Sequence, residues 1–141
     1  MADINSTGPI RPWGRYEILF ESDYCKTKRI LVKPGQRLSY QYHHKRQEAW
    51  TVVKGVAKIT LNDEEKEYRA GETIIIKLGD KHRMANPSET ETMELIEVQT
   101  GTYFGEDDIV RIEDDYDRTG INPKDVSTHR PPTARTKWQR E

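Results

Sequence analysis

Two runs decide how this chain is read: GQRLSYQYHHKRQEAWTVVKG (Gly35–Gly55) and GETIIIKLGDKHRMAN (Gly71–Asn86). In the first, five residues separate Gly35 from Gln41, one separates Gln41 from His43, four lead to Glu48 and six more to Gly55. In the second, five residues lie between Gly71 and Lys77, one before Gly79, two before His82 and three before Asn86. Successive side chains on a β-strand point to opposite faces, so Gln41 and His43 share a face. A strand turning back brings Glu48 alongside, and a second hairpin delivers His82. One carboxamide oxygen, two imidazoles and one carboxylate then converge inside a sheet, a donor set suited to a divalent metal.

Outward from these runs the pattern is one of short strands. Arg11-Pro12-Trp13-Gly14 is a rigid turn carrying a large aromatic, and Tyr16 to Phe20 follows as a strand. Lys26 to Val32 alternates, with Ile30 and Val32 on one face. Trp50 to Val53 and Val56 to Leu61 read as strands about a tight turn at Lys54-Gly55. Asn62 to Lys66 reads as an acidic loop, and Glu67-Tyr68 as an edge. The Ile74-Ile75-Ile76 run predicts a strand covered on both faces, and Thr92 to Thr100 alternates around Met93, Leu95 and Glu97 as the last long strand. No convincing amphipathic helix interrupts this series up to Thr100. Short strands at regular spacing predict an all-β closed or double-sheet fold, with closure removing the exposed edges.

The 141 residues fit one domain with a core of its own. Residues 1–10 are expected to be a flexible arm, residues 11–117 the folded domain, and residues 118–141 a basic, proline-containing, extended tail. In the domain's last part, the acidic clusters Glu106-Asp107-Asp108 and Glu113-Asp114-Asp115 flank Ile109, Val110 and Ile112, a segment able to clamp onto the sheet. One third of the residues are charged, yet the formal net charge is −1, so composition gives no reason to expect nucleic acid or an anionic membrane as partner. Cys25 is the single cysteine, which excludes an internal disulfide. The opening residues contain no apolar run, and no stretch is long enough to span a bilayer as a helix, so the expected location is the cytoplasm.

The paired spacings resemble the two motifs of the cupin superfamily, and Gln41-Tyr42-His43 resembles the glutamine-x-histidine metal signature of phosphomannose isomerases. Two positions depart from the superfamily pattern: Gln41 stands where a histidine is usual, and Lys77 where a proline is. A second likeness is more specific. Arg11-Pro12-Trp13-Gly14 with Tyr16, Lys28-Arg29, Leu38-Ser39, Leu95-Ile96-Glu97-Val98-Gln99 with Gly101 and Tyr103, and Gly105 to Arg111 with Asp114-Asp115-Tyr116 resemble the C-terminal domain of type II mannose-6-phosphate isomerase/mannose-1-phosphate guanylyltransferases. Lys45 and Ala49 replace histidines usual in that family, and the sequence shows no glycine-rich nucleotidyltransferase loop.

The resemblance implies a single cupin β-barrel of jelly-roll type, with metal held by Gln41, His43, Glu48 and His82. Zinc is the first expectation for the metal, and cobalt, manganese, iron or nickel can also use mixed nitrogen and oxygen donors. It implies interconversion of mannose 6-phosphate and fructose 6-phosphate through a cis-enediol, and a homodimer. Such a reaction needs a base, for which His44, Glu97 and Lys28 are candidates, and a cationic grip on the phosphate, for which Arg46, Arg29 and Arg111 are candidates. Two other readings stay open: a metal-containing sugar-binding or regulatory cupin without catalysis, and an isomerase or epimerase of another phosphosugar or nucleotide sugar.

Overall fold

The computed structural model describes residues 10–115; most of the arm, Tyr116 and the basic tail lie outside the described residues. The described chain is all-β apart from one short 3-10 turn. Eleven strands follow in order: β1 (Ile10–Arg11), β2 (Gly14–Glu21), β3 (Cys25–Val32), β4 (Tyr40–His43), β5 (Arg46–Lys54), β6 (Val56–Leu61), β7 (Glu64–Arg69), β8 (Thr73–Ile76), β9 (His82–Ala85), β10 (Met93–Gly101) and β11 (Ile109–Glu113). Ile10 pairs with Arg15, so the larger sheet begins at Ile10.

The strands form two antiparallel sheets in the orders β1-β2-β3-β10-β5-β8 and β11-β4-β9-β6-β7. The expected single closed barrel is therefore corrected. Neither sheet closes on itself, and the strand orders leave β1 and β8 as edges of one and β11 and β7 as edges of the other. The expectation assumed that closure was needed to remove edges. Here the edges are managed locally, because β1 and β8 are short and β7 carries the exposed charges of Glu64, Glu65, Lys66 and Glu67.

Alternation sets what faces the interior. On the larger sheet the buried positions are Lys28, Ile30 and Val32 of β3, Met93, Leu95, Glu97 and Gln99 of β10, Arg46, Glu48, Trp50 and Val52 of β5, and Ile74 and Ile76 of β8. The smaller sheet contributes Gln41 and His43 of β4, His82 and Met84 of β9, and Ala57 and Ile59 of β6. The interior is thus apolar at one end, around Val32, Val52, Ile59 and Leu95. At the other end the same strands bury charged and polar side chains.

Three local readings change. Lys54-Gly55 is no hairpin turn: β5 and β6 lie in different sheets, so the chain crosses over there, with Gly55 at a φ of 81°. Asn62-Asp63, both at positive φ, close a two-residue hairpin between β6 and β7, so most of the supposed acidic loop is strand. Ile75 is 49% exposed, so the triple-isoleucine strand is covered on one face only.

Candidate metal centre

Gln41 pairs directly with His82 across β4 and β9, and His43 lies two residues further along the same inward face. Glu48 comes from β5 of the opposing sheet. Ligand atoms of His43, Glu48 and His82 all lie within 4.8 Å of one another, and all three residues are buried. His43 Nε2 is 3.4 Å from Glu48 Oε2, and His82 Nε2 is 3.8 Å from Glu48 Oε1. Donors about 2.0–2.2 Å from a tetrahedral ion sit roughly 3.4 Å apart, so the spacing fits a first-row divalent metal.

The hydrogen bonds fix which ring nitrogens offer lone pairs. Asp80's backbone carbonyl can only accept, so His82 Nδ1–H donates to it at 2.8 Å and Nε2 keeps its lone pair. That Nε2 is buried with no hydrogen-bond partner. Arg46 can only donate, so His43 Nε2, at 3.3 Å from Arg46 Nη2, accepts and likewise carries a lone pair. Burial holds the His82 imidazole neutral, lowering its pKa to about 4. Gln41 Oε1 is a further buried acceptor without a hydrogen bond. Buried polar atoms left this way are costly, and a metal ion at their centre would satisfy them.

Glu48 is held at both oxygens. Trp50 Nε1 donates to Oε1 at 2.8 Å, and Arg46 Nε donates to Oε2 at 2.9 Å. Across the β5–β10 ladder Glu97 faces Trp50, and across β10–β3 it faces Lys28. Burial first, and the neighbouring Glu48 charge second, raise the Glu97 carboxyl well above the ordinary carboxylate range. Lys28 is buried beside it with its ammonium 4.3 Å from the centre of the Tyr16 ring. These groups line one cavity of about 30 Å³ that also includes Trp13, Gln41, Arg46 and His82. That is room for an ion and about one water, or for the reacting end of a small substrate.

The segment after β10 forms the rim of this site. Ile109 lines the cavity, and Arg111 stands opposite Gln41 in the β11–β4 ladder with its Nε buried and without a hydrogen-bond partner. The Asp108 carboxylate accepts the backbone N–H groups of His44 at 3.2 Å and Lys45 at 3.0 Å. Arg83 donates to Glu113 and Arg37 to Asp115, and these bonds fasten the end of this segment.

Of the residues singled out from sequence, Gln41, His43, Glu48 and His82 come together, with Glu97, Lys28 and Arg46 beside them and Arg111 at the rim. Two are not brought there. His44 is exposed, its ring set edge-on to Tyr42, because it follows His43 and points the other way. Arg29 lies on the outer face of the larger sheet, donating to Glu94 at 2.8 Å and Glu17 at 3.0 Å. Arg46 does reach the cavity, but as the partner of Glu48 and His43. Sequence reading missed Trp50 and Gln99 as holders of the two carboxylates. Their parity with Glu48 and Glu97 was the available signal.

An all-β cupin-like fold enclosing a buried His/His/Glu cluster defines the class: a cupin domain with a candidate metal centre consistent with a sugar-isomerase-type active site. The family described as "Mannose-6-phosphate isomerase C-terminal" matches residues 4–114, and the chain belongs to it. Among its relatives, the xanthan biosynthesis protein XanB of Xanthomonas campestris pv. campestris (strain B100) is 50% identical over 109 residues, covering 77% of this chain and 23% of that protein. The alginate biosynthesis protein AlgA of Pseudomonas aeruginosa is 46% identical over 109 residues, covering 77% and 22%. The chain therefore spans under a quarter of the length of these relatives. In fold it is similar to a conserved protein with a double-stranded β-helix domain from Klebsiella pneumoniae (TM-score 0.66, 22% identity, 77% of this chain and 87% of that one). It is also similar to the capsular polysaccharide assembling protein CapF of Staphylococcus aureus (TM-score 0.63, 23% identity, 74% and 33%).

Proposed function

We propose that this domain interconverts mannose 6-phosphate and fructose 6-phosphate by moving a proton between C1 and C2. The observation that carries the reading is the convergence of Glu97 and Lys28 with Glu48 and His82 in one small cavity, with His43 buried behind it against Glu48. A divalent ion held by His43, Glu48 and His82, with Gln41 as a fourth donor, supplies Lewis acidity toward the sugar's carbonyl oxygen. Zinc suits this set best, and cobalt, manganese, iron or nickel are the alternatives.

Glu97 is the proton carrier in this scheme. A carboxyl whose pKa is raised by burial can both take a proton near neutral pH and give it back, as transfer between adjacent carbons requires. Lys28 places a cation opposite Glu97, where it steadies the carboxylate and the charge that develops on the sugar oxygens. The burial around both groups limits water at the reacting carbons. Arg111, beside Gln41 at the rim, is the grip for the phosphate, because guanidinium presents a planar fork of donors. The cavity accepts the C1–C2 end of the sugar while the phosphate stays at the rim.

The departures at Lys45 and Ala49 do not undercut this reading. Lys45 is exposed, and Ala49 faces outward between the inward-pointing Glu48 and Trp50. Neither position borders the cavity. The domain extent, a homodimeric state and a cytoplasmic location belong to the same proposal.

The test is conversion of mannose 6-phosphate, with solvent-deuterium uptake at the sugar, on metal-analysed protein with and without added zinc, cobalt or manganese. Metal-dependent turnover is expected, with loss of at least about 100-fold in Glu97→Gln and near-complete loss in His82→Ala. Folded, metal-loaded protein that neither turns over the sugar nor exchanges its proton would leave a sugar-binding cupin without catalysis.

A further inference from the structure

Trp50 has no part in the chemistry just described, yet it touches three of the groups that do. Its indole Nε1–H donates to Glu48 Oε1 at 2.8 Å and to Glu97 Oε2 at 3.3 Å, so one N–H is shared between two buried carboxyl groups that also lie within hydrogen-bonding reach of each other. Its ring stands edge-on to His82, with centroids 5.4 Å apart. The outer oxygens are held separately, Glu48 Oε2 by Arg46 Nε at 2.9 Å and Glu97 Oε1 by Gln99 Nε2 at 3.1 Å. The arrangement follows from alternation: Arg46, Glu48 and Trp50 share one face of β5, Glu97 and Gln99 the same face of β10, and the register sets Trp50 against Glu97 and Gln99 against Glu48.

We propose that Trp50 is a positioning residue that couples the metal ligand Glu48 to the proton-carrying Glu97 through their shared N–H. The inference rests on the metal-isomerase reading of the site. With no cation at the centre, the shorter bond gives Glu48 the larger share of the proton. Once Glu48 shares its charge with a cation it becomes a weaker acceptor, and the N–H is left increasingly to Glu97. Loading the centre therefore orients the carboxyl that handles the substrate proton. A phenyl ring would keep an aromatic side chain in most of this space, leaving a gap where the rest of the indole stood, and would remove this link.

The experiment is a zinc titration of uniformly folded protein labelled with ¹⁵N-tryptophan. The chain has three tryptophans, so three indole resonances are followed, with Trp13→Phe and Trp50→Phe providing assignments. The Trp50 Nε1–H resonance is expected to move in step with zinc occupancy. In parallel, Trp50→Phe should bind cobalt about 10–100-fold more weakly than wild type and show an altered cobalt absorption spectrum. Gln99→Leu, which removes support from Glu97 alone, should keep cobalt affinity within about twofold. A Trp50 resonance that stays still while zinc binds, or a Trp50→Phe protein with wild-type cobalt affinity and spectrum, overturns the coupling and leaves the isomerase reading standing. Wild-type protein that takes up neither metal overturns both. If Trp50→Phe does not fold, the resonance of the wild-type protein still decides.

Discussion

His82 holds one ring nitrogen on the carbonyl of Asp80 and turns the other, without a hydrogen bond, toward Glu48. Its neutrality has a cost that can be measured. In the metal-free protein its pKa falls from 6.5 to about 4, through burial, so between those values the unfolded chain binds a proton that the native state refuses. Stability from this group is fully present above pH 6.5 and is lost as pH falls toward 4, by roughly 3 kcal/mol over the window. Glu97 acts with the opposite sign, since its raised carboxyl disfavours the native state increasingly as pH rises. Urea unfolding of metal-free Glu97→Gln, which removes that second slope, should lose stability between pH 6.5 and 4, and the same protein carrying His82→Asn should not. Equal slopes would mean that His82 titrates normally in the fold. At this scale much was legible from sequence, because period-two alternation alone sets Gln41 with His43 and sets His44 apart. The same alternation sets Lys28 with Ile30 and Val32 on the buried face of β3 and Arg29 on the other, but it names the partner of neither. Only the pairing of β3 with β10 shows that Lys28 meets Glu97 inside while Arg29 meets Glu94 outside.

Strand positions were legible wherever alternation was unbroken, as in β3 and β10, and less so where turn chemistry is ambiguous. A glycine at positive φ serves a hairpin and a sheet-to-sheet crossover equally, so Lys54-Gly55 could not reveal which it makes. The close approach of β10 to the start of β5 was equally hidden. Gly101 pairs with Arg46 at a φ of 150°, and a Cβ there would lie 2.3 Å from the Lys45 carbonyl oxygen and 2.8 Å from the Arg46 Cα. These are backbone atoms, so the strand itself must move. Gly101→Ala is expected to lower stability by at least ~2 kcal/mol and to displace Arg46 from Glu48. Gly79→Ala is the comparison: its φ is 81° but an added Cβ meets nothing within 4 Å, so only the backbone term of about 1–2 kcal/mol applies. Urea midpoints of the two variants, with cobalt affinity measured on each, test the order. Similar losses in both would show that β5 yields easily at this point.

The ligands also divide between the two sheets, and this bears on the molecule as a whole. The candidate ligands Gln41, His43 and His82 belong to the smaller sheet and Glu48 to the larger, so an ion held there would cross-link two sheets that strand pairing does not join. At the far end the apolar core around Val32, Val52, Ile59 and Leu95 does the same by burial. Whether sheets close or stay open depends on which distant strands pair, information that neither motif spacing nor composition contains. In the open arrangement an ion at this site would have a mechanical role beyond chemistry. A ligand that binds only the native state at a hundredfold excess over its dissociation constant adds roughly 2.7 kcal/mol of stability. That gain should not be spread evenly. On stripping the metal, amide exchange is expected to rise at the Gln41–His43, Arg46–Glu48 and His82 positions of β4, β5 and β9. It should change little where Val32 of β3 and Met93 of β10 pair beside the apolar core. A uniform rise along both sheets would instead mean that the domain opens only as one unit, with the ion and the apolar core holding the sheets together as a single cooperative contact.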